Sequence, residues 1–348
     1  MLQFAQFGPI LLLAPWTGAA ADRFDRRRLL LTTQAAQTTL TAALAALAFG
    51  GLATEYVVLG FSFVLGILTA LALPAQQALL ASLVDRDDLP SAVALNSMTY
   101  NVARAVGPSL AALVIGAFGV SIAFAINSVS YLVLAAAVVI VRPRPQERAE
   151  SSRLRESIQL IRREPRLAAY LLIVAVVGFA SDPVNALAPA FAHEFGFSAT
   201  VGGFLLGVFG AGAVTAAFIV AGRTAGSRRR MAATLGLLGG GMILFSLTPW
   251  LPLALVFLFA AGFGYLASNT SATSRLQLEV SETQRGRIMA LWGIAFLGVR
   301  PFASLIDGAI ASAAGVRVAG VVLALPALAV GLAIALRSGA RRTAARAT

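Results

Sequence analysis

Of the 348 residues, 58% are hydrophobic and only 12% are charged, too few to give a chain of this size a wetted surface. The net charge is +12, every basic residue is arginine, and there is no cysteine. The missing cysteines exclude disulfides, thiolate metal sites and cysteine nucleophiles; the missing lysines exclude a Walker A loop and, with it, ATP-driven transport by this chain alone.

Apolar blocks of about twenty residues, enough to cross ~30 Å of hydrocarbon, recur along the chain. They predict an all-α membrane protein of about eleven spans, near 1–21, 29–50, 56–80, 91–117, 120–141, 168–190, 200–222, 231–249, 252–274, 288–312 and 318–336. The first block has no basic segment ahead of it, so it reads as a span rather than a cleaved signal. Gly50-Gly51, Pro249-Trp250-Leu251-Pro252 and Gly315 punctuate the seams. Segment 142–167 separates an N-terminal bundle (1–141) from a C-terminal six-helix bundle and tail (168–348), and its eight arginines and four glutamates read as a solvated cytoplasmic linker.

Arginine placement sets the orientation. With the Arg23/Arg26–Arg28 loop in the cytoplasm, 24 of the 27 arginines fall in inside loops and the tail, Arg104 and Arg300 fall within spans, and only Arg317 lies outside. The C-terminus is then cytoplasmic. This one-sided pattern argues for a bilayer rather than nucleic acid as the partner of the basic charge. The halves also look related: Val84–Leu95 aligns with Val280–Leu291 at a shift of 196, and the same shift lays Arg104 on Arg300. Related halves are a transporter architecture.

Gly18-Ala-Ala-Ala-Asp22-Arg23-Phe24-Asp25-Arg26-Arg27 resembles the signature loop of the major facilitator superfamily, with Asp25 in place of its internal glycine. Arg104-Ala-Val-Gly107-Pro108 resembles the antiporter motif of that superfamily, with alanines at flanking glycine positions, and Leu278–Met289 resembles a segment of the enterobactin and macrolide exporter branch. The resemblance implies two pseudo-symmetric helical bundles and twelve helices, so the chain is expected to lack the usual first one. It also implies a conformational latch at Gly18, Asp22, Arg23, Arg26 and Arg27. On the residues alone, Asp22 suits a facing helix N-terminus, while Arg26–Arg28 equally well fix topology. Gly107-Pro108 marks a helix bend beside Arg104, which reads either as a switch or substrate counter-ion or as a tie to Asn101.

Arg104, Arg300, Asp182 and Asp307 are charges within spans, each unfavourable by about 2.5–3.5 kcal/mol at a helix centre, so they are expected to face the protein interior. Arg300 and Asp307, seven residues apart, share a helix face. Asp182 precedes Pro183, a helix-breaking position, and is the first candidate for proton coupling; the alternative is a cap at the outer rim. Asp307 is the second candidate, or else an arginine partner. Asn127, Gln76, Gln77, Asn185, Asn269 and Gln277 read as interhelical glue or substrate contacts. Phe179, Trp292 and Phe296 line a pocket or, more often for such residues, face lipid. Gly203-x-x-x-Gly207 and Gly236-x-x-x-Gly240 read as packing seams, and the lone His193 makes no metal site.

The expected function is proton-driven export of a small amphipathic molecule, of drug or siderophore type, by a monomer in the bacterial inner membrane. No cofactor, metal or enzymatic activity is expected. A nutrient importer on the same fold and a non-transporting remnant are the alternatives.

Overall fold

The computed structural model describes residues 2, 4–10, 12, 13, 24–85, 88, 95, 96, 99, 103, 107, 110, 111, 114, 115, 117–141, 161–198, 201–220, 228–280 and 282–346. Regular structure among them is helical. In order, the helices are α1 (Arg26–Phe49), α2 (Glu55–Ala81), α3 (Val120–Ile140), α4 (Pro165–Ala180), α5 (Asp182–Glu194), α6 (Gly202–Val220), α7 (Arg228–Leu247), α8 (Leu251–Leu278), α9 (Glu282–Leu297), α10 (Arg300–Ala314) and α11 (Val316–Arg346). Eight stretches among the described residues are long and apolar enough to cross a membrane. Two of these spans are broken: α4 and α5 share Pro165–Glu194, and α9 and α10 share Leu291–Ala314. The expected spans near 1–21 and 91–117 fall largely outside the described residues.

The side-chain distribution is inverted relative to a soluble protein. Ile140, Phe218 and Leu336 are 79%, 74% and 74% exposed, while Asp182 and Asp307 are fully buried. This is what a hydrocarbon solvent selects, because apolar surface needs no cover there and polar groups do. The chain divides into two compact units, Met1–Ala103 with Leu113–Leu154, and Arg104–Ala112 with Arg155–Thr348.

In the first unit α1 packs against α2 and α3. Asp25, the residue standing where the loop motif has glycine, is the N-cap of α1 and accepts from the Arg28 amide at 2.7 Å, the usual role of an aspartate at that position. The buried stripe of α1 includes Thr33, Gln34, Gln37 and Thr41. Gln37 Nε2 donates to Thr69 Oγ1 of α2 at 3.1 Å, and Ser128 Oγ of α3 donates to the Thr38 carbonyl at 2.9 Å. Interhelical hydrogen bonds thus join three helices that hydrophobicity alone cannot drive together in lipid.

The second unit is built round α8, which packs on α4, α6 and α7, while α11 packs on α7 and α10. Glycines set its close crossings. A Cβ at Gly212 of α6 would collide with the Phe259 carbonyl, and one at Gly262 of α8 with the Phe209 carbonyl. Gly239 likewise lies on the Leu328 backbone, and Gly264 on Leu238. At the expected seam a Cβ on Gly236 or Gly240 would meet nothing within 4 Å, although the Gly236 nitrogen lies 3.2 Å from where a Cβ on Gly331 of α11 would stand. The tightest glycines of that helix are Gly239, on the Leu328 backbone, and Gly241, whose Cβ would stand 2.9 Å from the Phe257 carbonyl. At one end of the unit Arg317 donates to the Ser246 and Thr248 carbonyls, both at 3.1 Å, and pairs with Glu194 at 3.1 Å. At the other, Arg275 donates to Tyr170 Oη at 3.2 Å, and that hydroxyl donates to Glu279 at 3.1 Å.

Gly262→Val is expected to destabilise the detergent-solubilised protein by about 1–3 kcal/mol, the usual range for overpacking, whereas Gly240→Ala is neutral or slightly stabilising. Thermal unfolding of the two variants beside wild type checks the assignment.

Candidate functional site

Two helix breaks create the site. Pro183 has no N–H to offer the Phe179 carbonyl, and the span stops at Ala180 and restarts at Asp182, with Ser181 N–H bonded back to the Val177 carbonyl at 3.2 Å. In the other broken span, α9 ends at Leu297 and α10 begins at Arg300 with Pro301 in its first turn. Both restarts therefore open with a charged residue followed by proline. The two spans lie side by side, with α4 on α9 and α5 on α10. Gly178 makes this possible, because even its hypothetical Cβ would sit 3.2 Å from the Phe296 carbonyl.

α10 is strongly two-faced. Arg300, Ala303, Ser304 and Asp307 are buried along one face, while Phe302, Leu305 and Ile306 are exposed on the other. Spacings of three, four and seven place the buried set on one stripe, as the sequence predicted for Arg300 and Asp307. Asp182 of α5 completes the group: it lies within electrostatic reach of both Arg300 and Asp307. Asp182 is wholly buried, so it is not a cap at a hydrated rim. None of the four carboxylate oxygens has a hydrogen-bond partner among the described residues. Among the described residues, Asp182 thus stands between the Arg300 guanidinium and a second buried carboxylate, Asp307.

An aromatic row runs alongside. Arg300 lies 5.4 Å from the Phe296 ring centroid, Phe296 stacks on Trp292 at 5.0 Å, and the row continues to Tyr265 at 6.5 Å and Phe209 at 5.4 Å. Phe296 is 1% exposed, so the expectation that it faces lipid is corrected. Ser268, Asn269 and Thr273 of α8 and Trp292 of α9 also hold buried polar atoms with no hydrogen-bond partner among the described residues. Asn269 was one of the predicted polar contacts; Ser268 and Thr273 were missed, as single hydroxyls on an apolar helix carry no sequence signal.

The other predicted site residues separate. Arg27 donates to the Val138 and Val139 carbonyls at the end of α3, at 3.1 and 2.6 Å, satisfying carbonyls that a helix terminus leaves open. That bond lies within the first unit and gives Arg27 a capping role that the latch expectation did not include. Arg26 begins α1 and is half-buried. Gly107 is helical, and a Cβ there would meet nothing within 4 Å. Gly18, Asp22, Arg23, Arg104 and Pro108 lie outside the described residues, and so do the Gln77 and Gln277 side chains. Asn185 donates to the Ser181 carbonyl at 2.6 Å and so braces the break beside Asp182. His193 is exposed at the end of α5.

A family described as transmembrane secretion effector matches residues 1–348. The chain is 31% identical over 134 residues to the staphyloferrin A transporter of Staphylococcus aureus, covering 38% of this chain and only 34% of that protein. It is 27% identical over 333 residues to the enterobactin exporter EntS of Shigella boydii, covering 88% of this chain and 78% of that one. A solved structure of a bacterial homolog to the human lysosomal transporter Spinster, inward-facing and occupied, superposes with a TM-score of 0.70 over 97% of this chain and 89% of that one, at 16% identity. At that identity the likeness carries the fold alone, and the fold is that of a major facilitator transporter.

Removing one member of a buried ion pair is unfavourable by about 3–5 kcal/mol because it strands the other charge. Arg300→Gln is therefore expected to lower thermal stability sharply, and adding Asp182→Asn to restore part of the loss. Additive losses in the double variant, read from melting curves, would show that the two groups do not interact.

Proposed function

Because the chain belongs to the transmembrane secretion effector family, within the major facilitator superfamily, we propose that it exports a small amphipathic molecule from the bacterial cytoplasm in exchange for protons. The buried set Asp182, Arg300 and Asp307 at two helix breaks carries this reading. Discontinuous membrane helices are where secondary transporters place coupling ions and substrates, and intramembrane carboxylates facing a cavity are their usual proton carriers.

Charge balance supplies the coupling. With both carboxylates ionised beside Arg300, the described group holds a net negative charge away from bulk water; one proton makes it neutral. A neutral group moves through a closed, dehydrated state far more easily than a charged one. The proton enters on Asp182 from the outer side and leaves when the site is rehydrated from the inner side, and Asp307 is the second acceptor. The breaks at Ser181–Pro183 and Gly298–Pro301 let the half-helices α5 and α10 change tilt without unfolding. Tyr265, Trp292 and Phe296 offer aromatic faces to the substrate, and Asn269 offers a hydrogen bond. The staphyloferrin A transporter and the enterobactin exporter among the relatives support a small amphipathic cargo of drug or siderophore type. The bundles at 1–141 and 168–348, joined by 142–167, act as two halves of a monomer that alternates access, with Asp22 and Arg23 as the latch, Arg104 and Gly107-Pro108 as a switch at a bend, and the C-terminus in the cytoplasm.

The test is efflux of a preloaded fluorescent amphipathic dye from an efflux-deficient bacterium expressing this chain. Faster efflux that collapses on adding a protonophore is expected. Asp182→Asn and Asp307→Asn should each lose uphill efflux while keeping downhill exchange of the same dye. Uphill efflux surviving in both variants would remove the carboxylates from the coupling step.

A further inference from the structure

At one end of the second unit an open groove runs along the crossing of α7 and α11. The helices are tightest at Gly239, which lies on the Leu328 backbone, and at Gly331, where a Cβ would come within 3.2 Å of the Ala232 carbonyl and the Gly236 nitrogen. Alanines and glycines on both helices leave the flank of this crossing unfilled. The groove has a volume of about 390 Å³ and is lined by Ala232, Ala233, Gly236, Leu328, Gly331 and Leu332, with Ala335 and Arg229 at its mouth.

The charge at that mouth is one-sided. α7 opens with Arg228, Arg229 and Arg230, all exposed, and has no acidic residue in its first turn. A helix N-terminus already carries a partial positive charge and unpaired N–H groups, so three cations there repel it as well as one another. Arg337, exposed on α11 two residues past Ala335, adds a fourth. No described residue of α7 or α11 is acidic. The described residues of these two helices therefore supply no counter-charge, and a phosphate would.

We propose that this groove is a binding site for an anionic phospholipid of the surrounding leaflet, with one acyl chain lying along Ala233, Gly236 and Leu332 and the phosphate held by Arg229 with its neighbours. An apolar slot beside a basic cluster matches the two ends of an amphiphile, and each basic residue near an anionic headgroup contributes about 1 kcal/mol. The lipid would wedge α7 to α11 and so stiffen the unit that carries Asp182, Arg300 and Asp307, without touching the transport site. This inference stands whether or not the chain couples export to protons.

Purified full-length protein, delipidated in neutral detergent, is titrated with phosphatidylglycerol or phosphatidylcholine and examined by native mass spectrometry and thermal unfolding. Retention of one phosphatidylglycerol and a raised melting temperature are expected, with no matching effect of phosphatidylcholine. Gly236→Leu fills the slot from a position where a side chain meets nothing, so it should fold normally yet lose the retained lipid. Arg229→Gln should weaken binding about fivefold, and inorganic phosphate alone should not stabilise. Equal retention of the two lipids, or unchanged phosphatidylglycerol binding in Gly236→Leu with a wild-type melting temperature, would overturn the proposal.

Discussion

The pairing of charge across two broken spans is the constraint on which the second unit depends. A carboxylate in hydrocarbon is tolerated only when a cation or an aqueous cavity faces it, and Arg300 is the cation that faces Asp182. To bring it there, α4–α5 and α9–α10 must lie together along their length, which requires Gly178 against Phe296. Each span also breaks next to its charged residue, where Pro183 and Pro301 stand. The remaining helices then have a fixed frame to pack on. Arg317 holds the far end of α5 through Glu194, and Arg275 holds the start of α4 through Tyr170. Both ends of the span that carries Asp182 are pinned, and its one break lies at the charged residue.

Lipid changes how this fold is held together. Burying apolar surface earns little when the solvent is itself apolar, so association rests on close backbone packing and interhelical hydrogen bonds. The second unit uses the first device at Gly212, Gly239, Gly262 and Gly264. The described part of the first unit relies on the second, with Gln37 on Thr69, Ser128 on Thr38 and Arg27 on the end of α3. α1 is accordingly the least lipid-like of the long helices, and it is absent from the eight apolar spans for that reason.

Most of the helical plan could be read from the sequence, because hydrocarbon thickness imposes a twenty-residue window that few other forces mimic. α2 and α3 end within two residues of the expected bounds. Burial of Asp182, Arg300 and Asp307 followed from their cost in lipid, and the shared face of Arg300 and Asp307 from helical periodicity. Their meeting with Asp182 did not, since periodicity speaks only of one helix. The same blindness hid the capping role of Arg27, whose partners lie 111 and 112 residues away. It also left Gly239 and Gly241 unmarked in α7, because a glycine spacing fixes which residues share a face but not which of them a neighbour approaches most closely. Gln34 and Gln37 escaped notice because glutamines near a basic loop look like interface residues until burial is known.

The central claim is that the Asp182–Arg300–Asp307 group binds and releases a proton. Infrared difference spectra of the purified protein across a pH step, in wild type and in Asp182→Asn and Asp307→Asn, test it most directly. A protonated-carboxyl band that appears with acidification and is lost or displaced in the single variants is the predicted result. A spectrum in which that band is identical in wild type and both variants would contradict the claim and leave the buried group a purely structural tie.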